Sequence, residues 1–209
     1  MSPARGTHRT ALIDAMRQLS LSQGFPATTV DQVCDRAGVT KGSFYHHFSG
    51  KDDLGLAALQ AYFDDLATAL STGSWSKAED PVVRLRQFVA HAADVTSGPL
   101  MAHGCLMGSF ALDLAEGSPE VRMRLSAMFG GMQEIVAGLI AEAAASRERT
   151  LDAQRLAEQF LAVVEGSIVL AKANADRATP RRGLEMFGEY LDLLLETPAA
   201  APKAKRRSR

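Results

Sequence analysis

The chain has 209 residues, 46% of them hydrophobic, with 23 Lys/Arg against 24 Asp/Glu and so a formal net charge of −1. That length admits one large domain or two small ones and is enough to bury a sizeable core. No run of about 18 apolar residues is present to span a membrane, the charge-studded start MSPARGTHRTALIDAM does not read as a signal peptide, and two cysteines in no metal-ligand spacing argue against a disulfide framework or a metal site, so a reducing cytoplasm is expected.

The small net charge hides an asymmetry. Residues 1–51 carry six Lys/Arg and three Asp/Glu, residues 52–198 twelve and twenty-one, and residues 199–209 five and none. An acidic body repels DNA, so a nucleic acid would meet only the basic ends, and a pI near 6.5 does not argue against such a partner.

The first predicted helix covers 7–23, with Leu12, Ile13, Met16 and Leu19 as its inward stripe and Gly24 as its stop. Arg5 and Arg9 make its start basic, which suits either a reach into a minor groove or a frayed terminus. Thr28 and Thr29 supply the N-cap of a second helix running to about residue 36, whose Val30, Val33 and Cys34 fall on one face. Ala37 lets two helices approach, Gly38 follows the last turn where φ > 0 is needed, and Val39 plugs the angle between helices. Thr40 then caps a third helix opening Lys41-Gly42-Ser43, and a glycine-containing connection this short suits a helix-turn-helix.

The third helix is the candidate recognition helix, because the N-terminal residues of that helix enter the major groove in this motif. Lys41 can donate to guanine and Ser43 can bond either base type, while Gly42 lets the backbone come close. Tyr45, His46, His47 and Lys51 suit phosphate contacts, with Thr28, Thr29 and Thr40 beside them, and Phe44 and Phe48 pack inward.

Phe25, Thr28, Thr29, Val33, Ala37, Gly38, Val39, Gly42, Tyr45, Phe48, Lys51 and Leu54 together resemble the DNA-binding domain of the tetracycline-repressor (TetR) family of bacterial regulators. The resemblance covers roughly the first quarter of the chain. It implies a homodimer on a palindromic operator in double-stranded DNA, a C-terminal domain responsive to a small molecule and, most often, repression; activation is the alternative outcome.

The remainder reads as helices: 51–70, then 80–97 opened by Asp80-Pro81, 104–115, 118–145 opened by Ser118-Pro119, 151–175, and 179–196 opened by Thr179-Pro180. Loops are expected at 71–76, at Ser97-Gly98-Pro99 and at 146–150. No alternating β pattern and no internal repeat appears, so the fold class is all-α. The expected units are a helix-turn-helix domain over 1–50, an effector-binding and dimerisation domain over 51–197, and a disordered basic tail over 198–209.

The segment HGCLMGSF at 103–110 resembles a TetR subgroup with Gly-Cys-Leu at the start of its sixth helix, some of whose members sense electrophiles or oxidants while others bind small acids. A predicted helix N-terminus and the neighbouring His103 would lower the Cys105 thiol pKa. Two readings stand there: a reactive sensor whose modification releases DNA, and a small buried hydrophobe. The wider expectation is an effector cavity lined by Met101, His103, Met107, Phe110, Phe129, Met132 and Phe160, and the resemblance, to a family in which the sixth and eighth helices often line one pocket, implies Lys172 as a further cation. His91 reads equally as ligand contact, surface residue or satisfied core residue.

Val164, Ile168, Phe187, Tyr190, Leu191 and Leu194 are the candidate dimer interface, because the last two helices are apolar on more than one side and the resemblance implies that they pair; the chain's own core is the alternative place for such residues. An enzyme using Cys105 and His103 is the reading from another class. It lacks a third orienting group, a phosphate-binding glycine loop and a metal-spaced histidine cluster, so no catalytic residue, cofactor or metal is expected.

Overall fold

Capping residues place the helices. The Thr29 hydroxyl accepts from the Gln32 backbone N–H at 3.3 Å while the Gln32 side chain accepts from the Thr29 N–H at 2.9 Å, a complete capping box. Asp80 accepts from Val82 and Val83 N–H with Pro81 in the first turn, and Ser118 accepts from the Val121 N–H ahead of Pro119. Gly38 sits at φ +66°, the left-handed conformation that ends one helix and turns the chain into the next.

The computed structural model describes residues 5–196, which form α1 (Arg5–Gln23), α2 (Val30–Ala37), α3 (Lys41–His47), α4 (Lys51–Ser71), α5 (Pro81–Ser97), α6 (Leu106–Leu114), α7 (Pro119–Ser146), α8 (Ala153–Asn174) and α9 (Thr179–Glu196), with no strand among the described residues. The tail expected at 198–209 and the Arg5 side chain lie outside what is described.

The boundaries differ from expectation at four places. Ser74–Lys77 and Pro99–Met101 form 3-10 turns within segments read as loops or helix breaks. The first is held by Trp75, whose Nε1–H donates to the Leu70 carbonyl at 2.9 Å and whose ring meets Phe88 edge-on at 5.2 Å. The eighth helix begins at Ala153 because Asp152 is its cap, accepting from the Arg155 N–H. The sixth begins at Leu106, with Cys105 at the cap position.

Helices α1–α3 form a small unit around Leu12, Met16, Val33, Phe44 and Phe48. Helix α4 closes it with Leu54, Ala58 and Tyr62 and carries the chain to the second unit. There α5, α7, α8 and α9 pack around a chain of rings, Phe88–Phe160 at 6.0 Å and Phe160–Phe187 at 5.7 Å. His91 on α5 is a satisfied structural residue, its Nε2 bonded to the Ala69 carbonyl at the end of α4, 2.8 Å away. Helix α6 lies between the two units. Its Phe110 meets the Phe25 ring at 5.1 Å, and its Asp113 accepts from the Phe25 backbone N–H at 3.0 Å.

Candidate nucleic-acid interface and effector groove

The helix opened by Thr40 presents one face to solvent and one to the core, as its pattern of residues requires. Phe44 is fully buried and Phe48 nearly so, their rings 6.1 Å apart, and together they seat the helix on α1. Thr40, Lys41, Gly42, Tyr45 and His46 are exposed on the other side, with Ser43 and His47 half-buried. The Thr40 hydroxyl accepts from the Ser43 N–H at 3.2 Å, which leaves the first-turn side chains pointing outward. His8 of α1 bonds the Ser43 hydroxyl through Nδ1 at 3.1 Å, and the Arg9 guanidinium stacks over Phe48 at 5.3 Å.

Lys41 forms an exposed ion pair with Asp31 of α2 at 2.7 Å, which raises its pKa, mainly through that hydrogen bond. A pair this exposed is easily broken, so it orients the lysine without committing it.

Thr28 is corrected as a DNA contact, and Lys51 has a structural role beside the expected one. Thr28 is fully buried and its hydroxyl donates to the Gly24 carbonyl at 2.8 Å, so it closes the turn between α1 and α2 and has no surface to offer a duplex. Lys51 is half-buried: its Nζ donates to the Phe25 and Pro26 carbonyls at 3.2 and 3.3 Å and lies 4.5 Å from the Phe25 ring centroid. Its first task is to hold the turn before α2, because the turn's carbonyls point where an ammonium with three donors can reach both.

A groove of about 670 Å3 runs between α6 and α8, walled by Leu112, Phe129, Ile168 and Val169 and also lined by Cys105, Gly108, Glu165 and Lys172. A neighbouring cavity of about 240 Å3 is lined by Met101, His103, Lys172 and Arg177. Of the expected effector residues, Met101, His103, Cys105, Phe129 and Lys172 therefore face cavities. Met107 and Phe160 are corrected to core, at 0% and 3% exposure, Met132 packs against that core, and Phe110 lines a separate cavity of about 360 Å3 beside Phe25 and Asp113. Methionines and phenylalanines at helical spacing look alike in sequence whether they fill a core or line a cavity.

The expectation of a lowered Cys105 pKa is overturned. The thiol is buried, and desolvation, followed by the nearby Glu165 carboxylate, pushes it up to about 12 against a weaker opposing bond from the Gly108 N–H. Its side-chain neighbours are Glu165 and Tyr62, while His103 is exposed, so a Cys–His pair is not formed. The same surroundings raise the Glu165 pKa through burial and raise that of the fully buried Tyr62. Treating the folded protein with iodoacetamide at neutral pH should leave Cys105 unmodified while a denatured control is fully alkylated. A rise from 9.0 to about 12 leaves roughly a thousandfold less thiolate, and rapid labelling seen by intact mass would contradict this environment.

The candidate dimer residues divide. Val164, Ile168, Phe187 and Leu191 are buried within the chain itself, Ile168 at the wall of the groove. Leu194 is half-buried and Tyr190 is 46% exposed. The outer faces of α8 and α9 instead carry exposed Val169, Leu170 and Met186 beside Tyr190. Both helices are apolar on two sides, and periodicity alone does not say which side the chain itself covers.

Sequence reading missed Glu165, Gly108 and Asp113. One signal was present: Glu165 is the only charged residue between Glu158 and Lys172, in the middle of LAVVEGSIVLA.

An all-helical chain that opens with a capped helix-turn-helix and continues into a larger helical bundle has the form of a DNA-binding regulator. Residues 12–58 match the family model described as bacterial regulatory proteins, tetR family, and residues 81–187 match that of the tetracyclin repressor-like C-terminal domain. The HTH-type transcriptional repressor DhaR of Mycobacterium sp. (strain GP1) is 31% identical over 195 residues, covering 92% of this chain and 93% of that one. The transcriptional regulator AcuR of Cereibacter sphaeroides is 31% identical over 173 residues, 82% of this chain and 79% of its own. The crystal structure of a regulatory protein TetR from Rhodobacter sphaeroides superposes with a TM-score of 0.74 at 30% identity, covering 87% of this chain and 97% of that one. The chain belongs to the TetR family and is a DNA-binding transcriptional regulator, a family of regulators and not of enzymes. No described helix is long and apolar enough to cross a membrane.

Proposed function

We propose that this chain is a homodimeric repressor that acts in the cytoplasm, binds a palindromic operator through residues 1–50 and is released when a small molecule occupies the α6–α8 groove of residues 51–197. The observation that carries the reading is the Thr40-capped helix, with Lys41, Tyr45 and His46 exposed on a platform of buried Phe44 and Phe48. Lys41 and Ser43 read bases, Gly42 allows close approach, and Thr29, Thr40, Tyr45, His46 and His47 position the helix on phosphates. Two copies related by a two-fold axis would set their recognition helices about 34–36 Å apart.

Release has a physical route. Helix α6 forms one wall of the groove and also grips the turn before α2 through Asp113 and Phe110. Lys172 of α8 adds a bond to the Leu21 carbonyl of α1 at 3.2 Å. A ligand that binds better to a shifted α6 therefore shifts α1 and the recognition helix with it, and only such differential affinity can do so. The buried, neutral Cys105 supports release by binding rather than by thiol modification.

Footprinting on the DNA flanking the gene, repeated with candidate ligands, tests the whole reading: a protected palindrome is expected, and indifference to that DNA in dilute buffer overturns it. Two substitutions test the docking. Lys41→Ala should relax discrimination at particular base pairs by roughly 1–3 kcal/mol, measured across operator variants. Lys51→Ala should weaken binding equally on all sequences and also lower the melting temperature, because its ammonium holds the Phe25 and Pro26 carbonyls. If neither variant differs from wild type on any operator, the helix is docked wrongly.

A further inference from the structure

Glu165 is a carboxylate in the wrong place for a structural role. It lies on α8 against α6, its oxygen occupying the space in which a Cβ at Gly108 would have to sit. Among the described residues no cation stands within ion-pair distance of it. The Cys105 thiol, which burial keeps protonated, is its side-chain neighbour. Tyr62, fully buried behind that thiol, has a hydroxyl without a hydrogen-bond partner. Lys172, two turns further along the helix and so roughly 10 Å away by helical rise, is exposed and bonded to the Leu21 carbonyl. His103, at the same end of the groove, is exposed.

A half-buried carboxylate without a counter-charge is driven toward its protonated form, and a ligand cation in the groove would favour the ionised form. Apart from Ser109, His103 and Lys172 the rest of the groove is apolar: Leu112, Phe129, Ile168 and Val169 offer hydrocarbon and one ring.

We propose that the α6–α8 groove binds an organic ammonium ion, its apolar body along Leu112, Phe129, Ile168 and Val169 and its charged nitrogen on the Glu165 carboxylate. Gly108 is the residue that makes room for that carboxylate. This rests on the groove being the effector site of the regulator proposed above, and it specifies the chemical class of the effector.

The test is calorimetric titration of the full chain with 4-phenylbutylammonium, 4-phenylbutanol and 4-phenylbutyrate, three probes that share a body and differ in the end group. One ammonium ion per chain should bind at least tenfold tighter than the alcohol or the carboxylate. Glu165→Gln, which keeps the shape and removes the charge, should abolish that preference, and Gly108→Ala should weaken ammonium binding by displacing the carboxylate. Circular dichroism establishes that both variants are folded, and Lys172→Ala should retain the preference. Equal binding of the three probes, tighter binding of the carboxylate, no binding of any probe, or an undiminished preference in folded Glu165→Gln would each overturn the proposal. The readout involves no DNA. Ammonium binding that leaves an operator footprint unchanged would therefore sink the regulatory reading and leave the site standing.

Discussion

A chain carrying Leu170→Asp and Met186→Asp together is expected to be monomeric at concentrations where the wild type is dimeric, and to lose operator binding almost entirely. Both side chains lie on the outer faces of α8 and α9, at 55% and 67% exposure, and neither supports the subunit's own core. A central apolar contact typically contributes about 2 kcal/mol or more to an interface, so losing two weakens association by roughly a thousandfold, taking 1.4 kcal/mol per power of ten. DNA affinity falls with it, because a lone helix-turn-helix engages one half-site only. Light scattering coupled to gel filtration and an operator shift assay read the two consequences. A double variant that stays dimeric would place the interface elsewhere, and a wild type that is monomeric would remove the dimer altogether.

The second large effect is expected inside the DNA-binding unit. Phe44→Ala should destabilise that unit by about 3–5 kcal/mol, the usual cost of truncating a buried phenylalanine. Phe44 has no exposed surface, and its ring meets Tyr45 edge-on at 5.0 Å and lies 6.1 Å from Phe48. It is the main side chain fixing a helix of only seven residues, too short to be stable by itself. Operator binding should disappear while the larger helical unit stays folded. Hydrogen exchange would show this as lost protection in α2 and α3 with α7 and α8 unchanged. Native-like protection in α3 would mean that the platform carries less than its burial implies.

Lys51 and Lys41 divide the labour of holding and reading. The charge of Lys51 invites a phosphate role, but the ammonium is bound to two carbonyls of the same unit. Its substitution should therefore change stability and affinity together, whereas Lys41, whose partner Asp31 is exposed, should change selectivity alone.

Much of this molecule is set locally, and local chemistry is legible in sequence. The Thr29 capping box, the left-handed Gly38, the Thr40 cap and the proline starts at Pro81, Pro119 and Pro180 depend on residues within a turn of one another. Helix-turn-helix, all-α class and the helix boundaries follow from them to within a few residues. Which side of an apolar helix meets the chain's own core does not, because Ile168 and Val169 are adjacent in sequence and equally apolar, yet one is 8% and the other 59% exposed. Tertiary packing alone decided that. It also decided the fate of Cys105. A helix start and a nearby histidine argue for a thiolate, but the fold brings Glu165 from about sixty residues away and removes water, and desolvation outweighs both.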